Sequence, residues 1–469
     1  MSVDTQKYAD FIDRAKIYTL LEAGKSADKS RAFEVIAKAR ECRGLELDEL
    51  AVLLQAEDEE IVSAIYEAAL EVKNKVYGRR MVFFAPLYVS NVCANNCLYC
   101  AFRRDNKELQ RKVLSMDEIR KEVEILLEQG HKRILLVAGE HPKLSGIDYI
   151  EEAVSTIYET RLGNANIRRV NVNCAPLDVE EFRRLKACHI GTYQCFQETY
   201  HLETYKLMHP SGPKADYLWR LHAPSRAMEA GIDDVGIGAL FGLTDYRFEV
   251  MGVLMHAQYL DKTYGVGPHT ISIPRLEPAL NAPVANNPPY AINDDDMRRI
   301  VSCLRLAVPY TGIILSTRER PEFRNELVSL GISQLSAGSR TAPGGYQEAK
   351  AHKPESEQFF IGDTRSLAEV VLELCKGDFI PSFCTACYRR GRTGQAFMGL
   401  AKEAEIHHLC APNAILSFKE YLIDYADAET RAVGEQVIAQ ELQNLEPAMR
   451  EKVSELLRTI ENGARDVYV

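Results

Sequence analysis

Six of the chain's twelve cysteines fall at spacings that suit iron–sulfur chemistry. Cys93, Cys97 and Cys100 are set as C-x3-C-x2-C. Three thiolates in one tight loop can each take one iron of a [4Fe-4S] cubane, which leaves the fourth iron open to a substrate or cofactor. Zinc is the alternative metal for such a loop, but it usually takes four ligands and no fourth Cys or His stands close by. Far along the chain, Cys384, Cys387 and Cys410 are set as C-x2-C-x22-C. These again suit a cubane with one open iron, or zinc with His407 or His408 as its fourth ligand. The remaining cysteines, Cys42, Cys174, Cys188, Cys195, Cys303 and Cys375, are scattered and read as small buried hydrophobes.

A loop holds a cluster only if rigid elements carry it, and the hydrophobic pattern says which. A strand-like run at 81–90 opens a regular alternation. Further runs follow at 133–138, 169–174, 191–196, 234–240, 269–273, 312–316 and 331–335. Amphipathic helical stretches lie between them at 115–129, 147–161, 179–187, 215–230, 246–264, 294–308 and 320–330. Such alternation implies parallel βαβ units, and eight of them fit an α/β fold of the TIM type, a full (β/α)8 barrel. An open doubly wound sheet fits the same pattern. The first cysteine loop follows strand one, on the face where such barrels do their chemistry. Residues 9–21, 31–40 and 47–74 read as helices, 366–375 as the last barrel helix, and 393–404 and 428–462 as helices again. No strand is expected after 376. The chain then divides into an N-terminal helical segment, 1–80, the barrel, 81–378, and a C-terminal helical domain with the second cysteines, 379–469.

A chain of 469 residues, 46% of them hydrophobic, can bury a large core. Its net charge of -10 offers no broad basic surface to a phosphate backbone, so nucleic acid is not an expected partner. The longest apolar runs are too short to span a bilayer, and the polar start MSVDTQKYADFIDRAK carries no export or transit pattern. The expected location is the cytoplasm, where closely spaced thiols point to metals rather than disulfides.

C-x3-C-x2-C with an aromatic residue, Tyr99, before the last cysteine resembles the signature of the radical S-adenosylmethionine (SAM) superfamily. The resemblance implies SAM on the open iron and a 5′-deoxyadenosyl radical that abstracts hydrogen from a substrate. Other positions are similar to that family's SAM site: Ala138, Gly139 and Glu140 at the end of strand two, Glu198 at the end of strand four, Arg220 in the next helix, and Gly238 and Gly242 after strand five. The stretches SNVCANNCLYCAFRRDN and FCTACYRRGRTG resemble, with the whole chain, the [FeFe]-hydrogenase maturases of the HydG type. A second family, the tyrosine lyase (2-iminoacetate synthase) of thiazole and thiamine biosynthesis, shares the barrel and lacks the second cluster.

The resemblance implies a radical SAM carbon–carbon lyase. It would cleave the Cα–Cβ bond of L-tyrosine to p-cresol and dehydroglycine. Dehydroglycine would then give carbon monoxide and cyanide at an auxiliary [4Fe-4S] cluster, where an additional iron bridged by free L-cysteine leaves as an Fe(CO)2(CN) synthon for the hydrogenase H-cluster. Implied partners are a scaffold GTPase maturase, a second radical SAM maturase and a reductant such as ferredoxin or flavodoxin. A chain leaving the last barrel helix emerges at the N-terminal mouth, opposite the first cysteines. His269 opens strand six at that mouth; a neutral imidazole is a good iron ligand, and the family uses a His there for the extra iron. The tyrosine carboxylate calls for an Arg, which can bind it bidentately. Arg275, Arg318 and Arg340 stand at the ends of strands six, seven and eight. Arg340 is favoured, with Ser316 and Ser339 as nearby donors, and an Arg not so used is expected to pair with Glu277 or Glu319.

Overall fold

The computed structural model describes residues 7–348 and 356–469; the first six residues of the polar start lie outside them. Successive side chains of a strand point to opposite faces, and β1 (Arg80–Ser90) sorts its residues that way. Met81, Phe83, Ala85, Leu87 and Val89 join the large core between strands and helices, whereas Phe84 and Tyr88 join a smaller apolar cluster inside the ring. β2 (Arg133–Ala138) repeats the division, with Ile134 and Leu136 outward and Leu135 and Val137 inward. Burial on both faces is why these runs read as almost continuously apolar.

β3 (Arg169–Asn173), β4 (Tyr193–Gln194), β5 (Val235–Gly238), β6 (Thr270–Ser272), β7 (Gly312–Leu315) and β8 (Gln334–Ser336) follow, each parallel to the next. β8 returns to β1 through Val82↔Gln334, Phe83↔Leu335 and Phe84↔Ser336. That pairing closes an eight-stranded barrel and rules out the open sheet. Four of the surrounding helices begin at capping boxes: Ser115 with Glu118, Asp178 with Glu181, Asn293 with Asp296, and Ser366 with Glu369. Such boxes satisfy the first free N–H groups of a helix and fix where the preceding loop ends.

The strands do not stop at 376. β9 (Ile380–Ser382) runs parallel to Arg80–Val82 of β1. Val82 pairs with Gln334 on one edge and with Ser382 on the other. β9 therefore lies on the β2 side of β1, in the space left because β2 joins β1 only from Ala85 onward. Three residues with a proline among them give no strand signal in sequence. Three expected helices are also divided, the stretch 428–462 becoming Ala428–Gln443 and Pro447–Glu461. The stretch 47–74 becomes Leu47–Leu54 and Glu59–Tyr77, the second capped by Asp58. The stretch 215–230 becomes Tyr217–Leu221 and Ala223–Glu229, with a proline at the start of the latter.

The N-terminal helices pack on Tyr246–Tyr264 and Asp294–Ala307, the C-terminal helix His407–Asp424 packs on β9, and all share one contiguous core with the barrel. No helix among the described residues is long and apolar enough to cross a membrane.

Candidate active site: two thiol-lined cavities at opposite ends of the barrel

The loop after β1 is fastened from several sides. The Arg111 guanidinium donates to the carbonyls of Asn91, Phe102, Arg103 and Asn106. The Ala94 N–H donates to the Glu140 carbonyl at 2.7 Å, and the Asn95 side-chain amide to the Glu140 carboxylate at 2.7 Å. A Cβ on Gly139 would stand 2.6 Å from the Val92 carbonyl oxygen, so only glycine lets the end of β2 lie against this loop. Cys93, Cys97 and Cys100 thereby line one cavity of about 210 Å³ at the C-terminal mouth. Burial pushes their thiols up, Cys97 to about 12 and Cys100 to about 11. Each sulfur in this setting keeps a proton until a metal replaces it. No three His, Cys, Asp or Glu side chains among the described residues converge as one metal ion would need. A cubane asks for less convergence, because each thiolate takes its own iron.

Tyr99, Ala138, Gly139, Glu140, Glu198 and Arg220 line the same cavity. Gly238 and Gly242 do not: Gly238 lies close against the Ser272 carbonyl, and Gly242 faces the Leu276 side chain. Glu198 has a left-handed φ of 70°. Lys214 Nζ donates to it at 2.6 Å and Arg220 Nη2 at 3.5 Å. Burial opposes the Glu198 charge, but Lys214 and Arg220 outweigh it and hold the carboxyl below its usual range. The Tyr99 hydroxyl lies 2.7 Å from His209 Nε2, and His209 Nδ1 lies 2.7 Å from the Tyr205 carbonyl. A carbonyl only accepts, so Nδ1 carries the proton and Nε2 accepts from Tyr99.

Of the three arginines at strand ends, Arg318 lines the cavity together with Ser316 and Ser339. Its guanidinium lies 3.4 Å from the Phe359 ring centre. Arg340, favoured from sequence, does not line it; its Nη1 donates to the Ser339 carbonyl beside it at 2.9 Å. Arg275 is turned to Asp294 and Glu319.

At the opposite mouth β9 leads directly into the second cysteines. Cys384, Cys387 and Cys410 line a smaller cavity, about 60 Å³, with Arg133 of β2, His269 just before β6 and Gly312 of β7. The Arg133 guanidinium donates to the Cys384 carbonyl at 2.9 Å. Burial lifts the Cys410 thiol to about 12 although Arg80 opposes the rise. His269 Nδ1 lies 3.7 Å from Asp234 Oδ1, and burial holds the ring below its usual range. That separation from Asp234 is too long for a hydrogen bond, and His269 Nε2 lies 3.4 Å from the Tyr388 hydroxyl. His407 and His408 do not reach this cavity: His407 Nδ1 lies 2.7 Å from the Ala404 carbonyl, and His408 stands by Glu405 with its side chain 54% exposed.

The Radical SAM superfamily model matches residues 87–252, and that of the Biotin and Thiamin Synthesis associated domain matches 272–380. The 2-iminoacetate synthase of Salmonella typhimurium is 34% identical over 331 residues, 70% of this chain and 84% of that protein. A crystal structure of HydG, a maturase of the [FeFe]-hydrogenase, shares 52% identity and a TM-score of 0.95, covering 98% of this chain and 100% of that one. The chain belongs to the HydG family of radical SAM maturases. HydG from Carboxydothermus hydrogenoformans is similar at 43% identity and a TM-score of 0.83, over 97% of this chain and 100% of that chain.

Membership of the radical SAM family brings a [4Fe-4S] cluster and SAM with it. The residues present suit both: three thiols on one loop, Cys97 buried and Cys93 and Cys100 half-buried, and beside them a half-buried carboxylate braced by two cations. Sequence reasoning did not single out Lys214, which lines the first cavity, or Asp234, which lies near His269, and it preferred Arg340 to Arg318. Lys214 follows Gly212, whose positive φ of 100° and close approach to Asn95 turn the loop toward the cysteines. The Ser-Gly-Pro run there is a turn signal that marks the bend, though not its target.

Proposed function

We propose that the chain splits L-tyrosine at one mouth of its barrel into p-cresol and dehydroglycine and turns the latter into carbon monoxide and cyanide at the other. One observation carries this reading: two thiol triplets line two cavities at opposite ends of one closed barrel, in a chain of the HydG family. SAM on the cluster of Cys93, Cys97 and Cys100 supplies a 5′-deoxyadenosyl radical when that cluster gives it an electron. The residues around it orient and enclose. Glu198, kept ionised by Lys214 and Arg220, accepts hydrogen bonds from SAM, and Glu140 receives its amino group. Arg318 grips the tyrosine carboxylate with Ser316 and Ser339 beside it, in the place first given to Arg340.

At the second mouth Cys384, Cys387 and Cys410 hold the auxiliary [4Fe-4S] cluster, and His269, which lines the same cavity, holds the additional iron bridged by free L-cysteine. That iron is cargo: it leaves as the Fe(CO)2(CN) synthon for H-cluster maturation. A scaffold GTPase maturase receives it, a second radical SAM maturase works beside it, and ferredoxin or flavodoxin supplies electrons. None of the twelve cysteines forms a disulfide, which suits the reducing cytoplasm.

The test is anaerobic reconstitution with SAM, dithionite and L-tyrosine, assaying p-cresol and carbon monoxide trapped on deoxyhaemoglobin. Both products are expected from the wild type, and a Cys384→Ala/Cys387→Ala variant should make p-cresol with little carbon monoxide. p-Cresol without carbon monoxide from fully loaded wild type would instead favour the reading shared with the 2-iminoacetate synthases.

A further inference from the structure

Gln358 reaches the first cysteine loop from a distant part of the chain. Its N–H donates to the Thr341 carbonyl at 3.0 Å, and its carbonyl accepts the N–H of Ala101 at 3.3 Å, next to Cys100. These two bonds aim its side chain into the first cavity. There Nε2 donates to Cys100 Sγ at 3.7 Å, while Oε1 accepts from the Tyr88 hydroxyl at 2.7 Å. An amide presents donors on one side and an acceptor on the other. The Tyr88 hydroxyl claims the oxygen and so turns the NH2 toward sulfur. Tyr88 is itself fixed, on the inward face of β1 with its ring edge-on to Phe102 at 5.9 Å.

We infer that Tyr88 and Gln358 form a hydrogen-bond relay onto Cys100 that sets the reduction potential of the cluster on Cys93, Cys97 and Cys100. The inference rests on the proposed placement of that cluster. Hydrogen bonds to cluster sulfurs stabilise the more electron-rich reduced state and so raise the potential. Most donors on a cysteine loop are backbone groups, which only proline removes, and it changes the loop's conformation as it does so. This one is a side chain from another segment, so its effect can be separated from the fold of the loop. Gln358 is a positioning residue: it acts through Cys100 and its effect is read as a potential.

Gln358→Met keeps the side-chain length and removes the donor, and Tyr88→Phe removes the hydroxyl that orients the amide. The holoenzyme is titrated electrochemically and followed by electron paramagnetic resonance, the first cluster being the signal that changes when SAM is added. In Gln358→Met the ratio of reduced to oxidised first cluster at fixed potential should fall about threefold to tenfold, the worth of roughly one hydrogen bond. Tyr88→Phe should shift it the same way by less, and the second cluster's midpoint should stay in place. A loaded Gln358→Met protein with the wild-type midpoint overturns the inference while leaving the proposed function intact. If Gln358→Met loads no cluster, an unmoved midpoint in Tyr88→Phe overturns it instead. Wild type with no SAM-responsive signal would overturn both the proposed function and the inference.

Discussion

Glu249 lies on helix Tyr246–Tyr264 and props a residue it does not touch. It accepts the Tyr200 N–H at 2.9 Å and the Thr199 hydroxyl, and so grips the two residues that follow Glu198 with its left-handed backbone. A non-glycine residue keeps such a conformation only where its surroundings enforce it. Burial pushes the Glu249 carboxyl from the usual 4.5 up to about 8. Between those values the folded protein keeps a proton that the unfolded chain has lost. The contribution to stability is full below the lower value and is lost as pH rises through the upper one. The thermal midpoint of the wild type should therefore fall between pH 4.5 and about 8, and Glu249→Gln should flatten that fall. Parallel curves for the two proteins would remove Glu249 as its cause.

Gly139 shows how an element end and a loop share one volume. A Cβ there would stand 2.6 Å from the Val92 carbonyl oxygen and 3.1 Å from its carbon, backbone that cannot swing aside. Gly139→Ala should cost about 1–3 kcal/mol and lower the iron content of the first site, measured in a Cys384→Ala/Cys387→Ala background; unchanged iron would show that the loop yields. Barrel and first cysteine loop were both legible in sequence. Short apolar runs and the amphipathic stretches between them are local signals, and a C-x3-C-x2-C loop needs no knowledge of its surroundings. β9 was not legible, because its three residues are strand only by virtue of the open edge that β1 offers below Ala85. The choice among arginines was not legible either. Position at a strand end places a Cα, but the path of the following loop aims the side chain, and it turns Arg340 to its neighbour's carbonyl and Arg318 to the cavity. Asp234 behind His269 depends likewise on two adjacent strands meeting in register, which neither stretch reveals alone.

The largest scale is the joining of a helical C-terminal region to a barrel. Arg168, just before β3, forms a bidentate ion pair with Glu420 of helix His407–Asp424, their side chains only 5% and 4% exposed. Removing one partner of a buried pair leaves the other charge without water or counter-ion and costs about 3–5 kcal/mol, whereas replacing both by apolar groups is often near neutral. Arg168→Met should lower the calorimetric unfolding temperature and the iron content of the second site; Arg168→Met/Glu420→Leu should recover most of both. A double variant as poor as the single one would mean that the charges do more than hold the two parts together. One strand, meanwhile, connects the two metal sites directly: β1 ends close to Cys93 and at its start pairs with β9, two residues before Cys384. A one-residue slip in a strand exchanges its two faces. A single inserted or deleted codon within Arg80–Ser90 would therefore disturb both sites in one mutational step. Descendants of this gene can let their loops vary, but they inherit the gap between the two sites as a length rather than as a set of residues.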